Sequence, residues 1–323
     1  MGLKWGILGL GKIAHHFCKD ILLVEGSELY AVGSRSLEKA NYFAQQYGAN
    51  QSYGSYQDLV NDSDIDIIYI ATPHDSHLEY AMMAMEAGKH VLCEKPIAVN
   101  YDQVSQLIQT AQEKKVFLME ALWTRFNPVI EKVISEIKNG AIGIPTYLNS
   151  TFSFYNDIDP ASRLFDPNLA GGSILDVGLY PVFLCYTLFG MPQSIAATGT
   201  LSEQGVDLQM TALLDYGGGS AQLMSGLQAN CDMTSKIYGT EGQLIIDSRW
   251  HEAQSYQIKK SDKNVTYKHP TIGRGYTHEI MECMKCIENK QIQSSKWSHQ
   301  DSLNLISILD EIRRQVGVVY PFE

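Results

Sequence analysis

The 323-residue sequence predicts an α/β protein of two domains: an N-terminal doubly wound parallel sheet, and an α+β C-terminal domain with a mainly antiparallel open sheet. Three observations carry this. Short apolar runs alternate with helical patterns over the first 120 residues, a glycine-rich turn directly follows the first run, and after Arg125 the pattern changes to strand-like segments separated by Gly-rich turns. At 36.1 kDa the chain also exceeds what one hydrophobic core usually organises. The boundary is read near residue 121, dividing the chain into 1–121 and 122–323. No flexible linker marks it, so a packed junction is expected, of the kind that commonly holds ligands.

The elements follow in order. Residues 4–8 read as the first strand, with a helix from about 11, a strand at 29–32, a helix at 37–47 and a short strand near Ser52. The run 65–70, apolar except for Asp66, suits a buried strand. The helix at 76–87 stops at Gly88, a C-terminal glycine, and 90–93 is the next strand. A helix from about 101 and a strand at 116–119 complete the first domain. Beyond it come a helix to about Lys138, an extended run at 146–154 and a helix at 174–188. Strands are expected at 194–201, 208–216, 221–228, 235–238 and 243–247, and helices at 276–287 and 301–315. The strands within 208–228 offer a face that helices leave uncovered, which suits self-association.

Composition narrows the function. Hydrophobic residues make up 45% and charged ones 19%, an ordinary folded balance. With 25 basic and 36 acidic residues the net charge of −11 opposes nucleic acid and anionic membranes, so any phosphate site must be local. The longest uncharged stretch, 177–202, raises a membrane span, but Pro181, Gly190 and Pro192 interrupt it. The N-terminus lacks a basic stretch leading into an apolar segment and cleavage site, and the expected location is the cytoplasm. Six cysteines are too sparse for a disulfide framework. Cys283 and Cys286 form a CxxC within a helical pattern and have no second pair, so structural thiols are expected and no metal.

Residues 9–14, GLGKIA, match GxGxxA between a strand and a helix, the fingerprint of a Rossmann dinucleotide site. Gly9 permits the tight turn, Gly11 lets the backbone approach a pyrophosphate, Ala14 allows close helix–strand packing, and Lys12 and Ile13 open the helix whose amides face the anion. The second strand ends at Ser34 and Arg35 with no carboxylate for the ribose hydroxyls. Arg35, with Lys39 one helical turn on, suits a 2′-phosphate, so NADP is favoured over NAD. Solvated helix-start charges are the alternative.

Thr72, Pro73 and His74 follow the apolar strand, at the carboxyl edge where open α/β sheets bind ligands. His74 and His77 are spaced HxxH without further metal ligands nearby; His77 reads equally as a packing residue or one facing the cofactor. Glu94-Lys95-Pro96 stands at the same edge. Lys95 can donate to a substrate oxygen and depress the pKa of a neighbouring acid, and a cis bond is expected at Pro96. Asp176 and Tyr180 lie four apart on a helix, so carboxylate and phenol share a face suited to proton transfer; a buried Tyr bonded to Asp is the bland reading. Asp157, Asp159 and Asp166 are read as solvated loop charges.

Taken together, GLGKIA, ATPHDSH at 71–77, AGKHVLCEKPIA at 87–98, EALWTRFNP at 120–128 and GGSILDVGLYPV at 171–182 give a chain that resembles, over nearly its whole length, the glucose-fructose oxidoreductase, inositol dehydrogenase and MocA family. EALWTRF and DVGLYPV look most like its branch of dimeric dihydrodiol dehydrogenases and NADP-dependent D-xylose dehydrogenases. The resemblance implies Tyr180 as acid/base, Lys95 as the lysine of the EKP motif and Asp176 as an orienting carboxylate. It also implies His77, Trp123 and Arg125 at the nicotinamide end, Arg35 and Lys39 at the NADP phosphate, and a dimer or larger assembly. Ser173 departs from it, since relatives often carry a third glycine there.

The expected chemistry is hydride transfer between NADP and a sugar, polyol or cyclic diol. Tyr180 exchanges the hydroxyl proton, Lys95 stabilises the charged oxygen, and Asp176 positions its neighbours. Trp123, Phe152, Phe154 and Tyr155 are candidate walls, on aromatic faces that suit such rings. An NAD-linked inositol-type dehydrogenase and an NADP-sensing regulator without turnover are the rival readings.

Overall fold

The apolar runs of the first 120 residues pair in parallel. The computed structural model describes residues 2–159, 161–261 and 263–323. Strands β1 (Leu3–Leu8), β2 (Ser27–Gly33), β3 (Gln51–Tyr53), β4 (Ile67–Ile70), β5 (His90–Glu94) and β6 (Leu118–Ala121) form one sheet in the order β3-β2-β1-β4-β5-β6. All of its pairs are parallel. The order reverses direction between β1 and β4, the switch point at which such sheets leave a crevice at their carboxyl ends. β4 and β6 are buried throughout, as strands covered on both faces must be.

Helices α1 (Lys12–Ile21), α2 (Leu37–Tyr47), α3 (Tyr56–Asn61), α4 (His77–Glu86) and α5 (Tyr101–Lys114) join these strands. α2 has the bounds its punctuation predicts: Ser36 Oγ accepts from the Lys39 amide, and Gly48 ends the helix at φ +74. α3 departs from the expected order. Its six residues are too few to show a period, and only Ser55, which accepts from the Asp58 amide, announces it.

The later strands form a second sheet. α6 (Pro128–Lys138), β7 (Pro145–Ser153) and α7 (Leu179–Phe189) precede β8 (Ser194–Leu201), β9 (Asp207–Asp215), β10 (Ser220–Gly226), β11 (Ser235–Gly239), β12 (Gly242–Ile246), β13 (Ser255–Lys260) and β14 (Lys263–Lys268). The order is β14-β13-β12-β11-β7-β10-β9-β8, antiparallel except for the β7–β10 pair. β13 and β14 lie outside the expected strands; β14 is exposed at all six positions, its alternating Val265 and Tyr267 included, and pairs with β13 alone. In β9, Leu208, Met210, Ala212 and Leu214 face inward, while Gln209, Leu213 and Asp215 are exposed on the other face. The uncharged stretch supplies α7, and 78% of the most apolar window in Pro167–Phe189 is buried inside the protein, which makes it a core helix.

The described chain divides into two compact units. One joins the residues up to Phe126 with Ile272–Leu303, and the other joins Asn127–Thr271 with Asn304–Glu323. The sequence pattern suggests a single break near residue 121, whereas residues 272–303 return to the first unit. Long-range polar contacts hold them there. The buried Asp20 carboxylate accepts the amides of Arg274, Gly275 and Tyr276 at 2.9–3.0 Å, capping α8 (Tyr276–Glu288). Near the start of α9 (His299–Val316), the His299 ring lies 3.0 Å from the Leu118 carbonyl oxygen. Hydrogen bonds to charged groups contribute roughly 1.5–3 kcal/mol each, and no local pattern encodes them.

Candidate active site

The first unit gathers its candidate residues at the carboxyl ends of its strands. Gly9 has φ +92, and a Cβ there would sit 3.0 Å from the Ala71 backbone, so the fold itself requires glycine. Gly11 is different. A Cβ at Gly11 would meet its nearest atom, the Ala71 carbonyl oxygen, only at 4.0 Å, so the small residue leaves room for something other than the protein. No side chain caps α1, which leaves the amides around Lys12 and Ile13 to an anion. Thr72 Oγ1, next to the Gly9 turn, is buried and has no hydrogen-bond partner among the described residues. A dinucleotide pyrophosphate fits this cradle.

After β2, Ser34 is buried and its Oγ accepts from the Ser36 amide, while Arg35 and Lys39 are exposed at the start of α2. Sequence reading missed an aromatic pair here. Tyr56 and Tyr80 meet edge to face at 4.8 Å; burial pushes both phenols up, and the nearby Arg35 charge opposes that. Neither residue lies in a motif, and only the fold brings α3 and α4 together.

The EKP turn is held from below. Its Lys95–Pro96 bond is cis, as expected. Glu94 is buried, with Oε1 accepting from the Tyr69 hydroxyl and Oε2 from the Lys95 amide. Glu120 Oε1 accepts from the Ile97 amide at 3.1 Å, and Oε2 accepts from Trp297 Nε1 and Ser302 Oγ. Burial raises the Glu120 carboxyl above its usual range, against these hydrogen bonds and the Lys95 charge. His77 is fully buried, its ring bracketed by the Pro96 and Thr72 carbonyls, so it ties two loops together. His74 is also buried, 5.8 Å from it ring to ring, and Pro73 starts the short turn that contains it. Trp123 stacks on Tyr276 at 4.8 Å, and Arg125 Nε donates to the Lys296 carbonyl.

In the second unit the expected helix begins differently. Residues Ile174–Gly178 form a π-helical turn that leads into α7. Pro181 explains it: in a regular α-helix it would lack the amide for the Val177 carbonyl and its ring would press on that group, and a widened turn relieves both. Asp176 and Tyr180 are both buried here. Arg163 Nη2 lies 3.2 Å from Asp176 Oδ1, a pairing in a loop that carries no motif. The Tyr180 ring lies 5.4 Å from Phe152 and 5.6 Å from His251, and the latter two stack at 4.2 Å. His251 was not legible in sequence, since it sits alone in a short turn after β12.

The other candidate walls separate. Phe154 packs against a buried cluster of Leu164, Phe165, Val206, Leu208 and Leu227. Tyr155 is exposed and its hydroxyl donates to Asp157 at 2.8 Å. Asp159 and Asp166 accept backbone amides within their own loops. Cys283 and Cys286 are buried free thiols on α8; burial pushes Cys283 well up and Cys286 to about 11.

Comparison with known proteins places this geometry. Residues 3–122 match a family described as an oxidoreductase family with an NAD-binding Rossmann fold, and residues 130–245 match the GFO/IDH/MocA C-terminal domain. A trans-1,2-dihydrobenzene-1,2-diol dehydrogenase of Xenopus tropicalis is 36% identical over 332 residues, covering 99% of this chain and 100% of that protein. The mouse (Mus musculus) enzyme of the same name is 33% identical, covering 99% of each. Two solved structures share the fold at TM-score 0.89 and 23% identity, with 98% of each chain covered. They are a 3-ketoreductase from Actinomadura kijaniata in complex with NADP and TDP-benzene, and an aldose-aldose oxidoreductase from Caulobacter crescentus complexed with glycerol. The chain belongs to the GFO/IDH/MocA family of NAD(P)-dependent oxidoreductases.

Proposed function

We propose that this oxidoreductase is an NADP-dependent dehydrogenase acting on a secondary alcohol, or on the matching carbonyl, of a sugar, polyol or cyclic diol, with Tyr180 as acid/base. One observation carries the reading: Tyr180 is buried beside Phe152 and His251, one helical turn after the Arg163-paired Asp176. A phenol in such surroundings exchanges a proton with a bound hydroxyl rather than with solvent. A cyclic diol comes first among the substrates, because the full-length relatives are named for one. NADP is preferred to NAD because Arg35 and Lys39 stand exposed after β2, whose end at residues 33–36 carries no carboxylate for the ribose hydroxyls.

The dinucleotide, when bound, supplies hydride transfer at its nicotinamide. Gly9, Gly11 and the uncapped start of α1 hold its pyrophosphate, with Thr72 alongside. Trp123 and Arg125 serve its nicotinamide end, and the His77 bracket holds the loops around it. Tyr180 takes the substrate's hydroxyl proton on oxidation and returns it on reduction. Lys95 stabilises the charged oxygen of the substrate, and Asp176 orients the polar groups around Tyr180. The first unit thus acts as the dinucleotide domain and the second as the substrate domain.

The outward face of the second sheet pairs two copies of the chain. Six free cysteines, five of them buried, suit a reduced cytoplasmic setting. Replacing Tyr180 with Phe tests the central assignment: NADP(H)-linked turnover is lost while NADPH binding persists. Full turnover by Y180F overturns it.

A further inference from the structure

The turn preceding Asp176 is fastened by a carboxylate from another element. Asp207, fully buried at the start of β9, places Oδ2 3.0 Å from the Ser173 amide, 2.6 Å from the Ser173 hydroxyl and 3.0 Å from the Ile174 amide. Ser173 Oγ also lies 2.8 Å from Ser225 Oγ on β10. These are the amides at the start of the π-helical turn, which no local side chain caps. A remote carboxylate therefore does the work of an N-cap. Two glycines let the parts close: a Cβ on Gly172 would lie 2.3 Å from Asp207 Oδ1, and one on Gly178 would lie 2.8 Å from Ser225 Oγ. On the other side, the buried Tyr320 hydroxyl donates to the Gly171 carbonyl at 2.9 Å.

We propose that Asp207, acting through Ser173, is the positioning residue that fixes the turn carrying Asp176 and Tyr180 and so sets where the phenol meets the substrate. This rests on the acid/base reading of Tyr180. The departure of Ser173 from glycine gains a purpose here, because its hydroxyl joins the carboxylate to β10. Burial lifts the Asp207 carboxyl to about 6, against these hydrogen bonds, so at pH 8 it is ionised and accepts from all three donors.

The test compares wild type, Asp207→Asn and Ser173→Ala at pH 8, using the fastest substrate among aldoses, dicarbonyl sugars and cyclic diols, with active sites counted by NADPH titration. Per active site, Asp207→Asn is expected to lose about 100-fold in kcat, the cost of a misplaced reacting group. NADPH affinity is expected to stay within about twofold. Ser173→Ala keeps both amides and is expected to lose roughly fivefold. The alkaline limb of the pH–kcat profile shifts in both variants, which lost folding alone does not produce. Hydrogen exchange over residues 171–180 is measured in parallel and rises about tenfold in Asp207→Asn. Unchanged exchange, or unchanged kcat and pH limb in a folded variant, overturns the inference; where Asp207→Asn does not fold, Ser173→Ala decides on the same readouts. Full turnover by Y180F overturns the acid/base reading instead and leaves the exchange result standing.

Discussion

His77 joins two loops: its Nδ1 lies 2.8 Å from the Pro96 carbonyl oxygen and its Nε2 2.9 Å from that of Thr72. One imidazole thereby spans the loop after β4 and the EKP turn after β5. Replacing it with Phe keeps a ring but removes the N–H that one of these carbonyls accepts, at a cost of roughly 1–3 kcal/mol. The expected result for His77→Phe is a lower urea midpoint together with weaker NADPH binding by fluorescence titration. A lower midpoint with unchanged NADPH affinity assigns the ring to packing alone.

Arg35 is exposed after β2 and close enough to Tyr56 and Tyr80 to influence both phenols. If its guanidinium meets a 2′-phosphate, a charge-assisted contact of about 2 kcal/mol disappears in Arg35→Ala. NADPH affinity then falls about 30-fold, since 1.4 kcal/mol is a factor of ten, while NADH affinity barely moves. Isothermal titration with both dinucleotides reads this directly. Equal losses for the two ligands remove the phosphate-site reading.

Much of this was legible in the chain because the signals are local. Gly9 and Gly11 sit between an apolar run and a helix start, Gly88 ends a helix, and Leu208 to Leu214 alternate in and out. Each needs only near neighbours to be interpreted. Asp207, Arg163, His251 and Glu120 act on residues distant in sequence, or beside them only in the folded chain, and no spacing rule marks them. The 272–303 segment shows the same limit, because the Asp20 cap on α8 spans more than 250 positions. β14 shows a different limit: its apolar alternation is two residues, Val265 and Tyr267, too short to stand out where no buried face extends it.

Glu279 on α8 is fully buried, and neither carboxylate oxygen has a hydrogen-bond partner among the described residues. Burial, then the Glu94 and Asp20 charges, push its carboxyl well above the usual range. A raised folded pKa stabilises the fold fully below the unfolded value of about 4.3, and that contribution is lost as pH rises through the folded value. Glu279→Met removes the group at similar size. Against wild type, the variant is expected to gain stability as pH rises from about 4 to 8, by several kcal/mol at most. Urea midpoints at both ends of that range check it; a difference independent of pH shows that Glu279 is ionised in both states.

Self-association has its own test on the second sheet. Leu213 is 55% exposed on the outward face of β9, opposite Gln222 of β10, while its neighbours Ala212 and Leu214 are buried inward. Met224, Tyr147 and Ile245 lie on the same outward side and are half-buried. A face of this mixed character suits pairing with a second copy, because a two-fold arrangement places the same strands against each other. Leu213→Arg adds a charge that such pairing buries unpaired, a penalty of several kcal/mol, or more than a hundredfold in dimer affinity. Light scattering at micromolar concentration is expected to give a dimer or larger assembly for wild type and a monomer for the variant. Tyr180, Asp176 and the first unit are untouched by the change, so NADPH binding is retained. A wild-type monomer, or an assembly indifferent to Leu213→Arg, places the contact elsewhere.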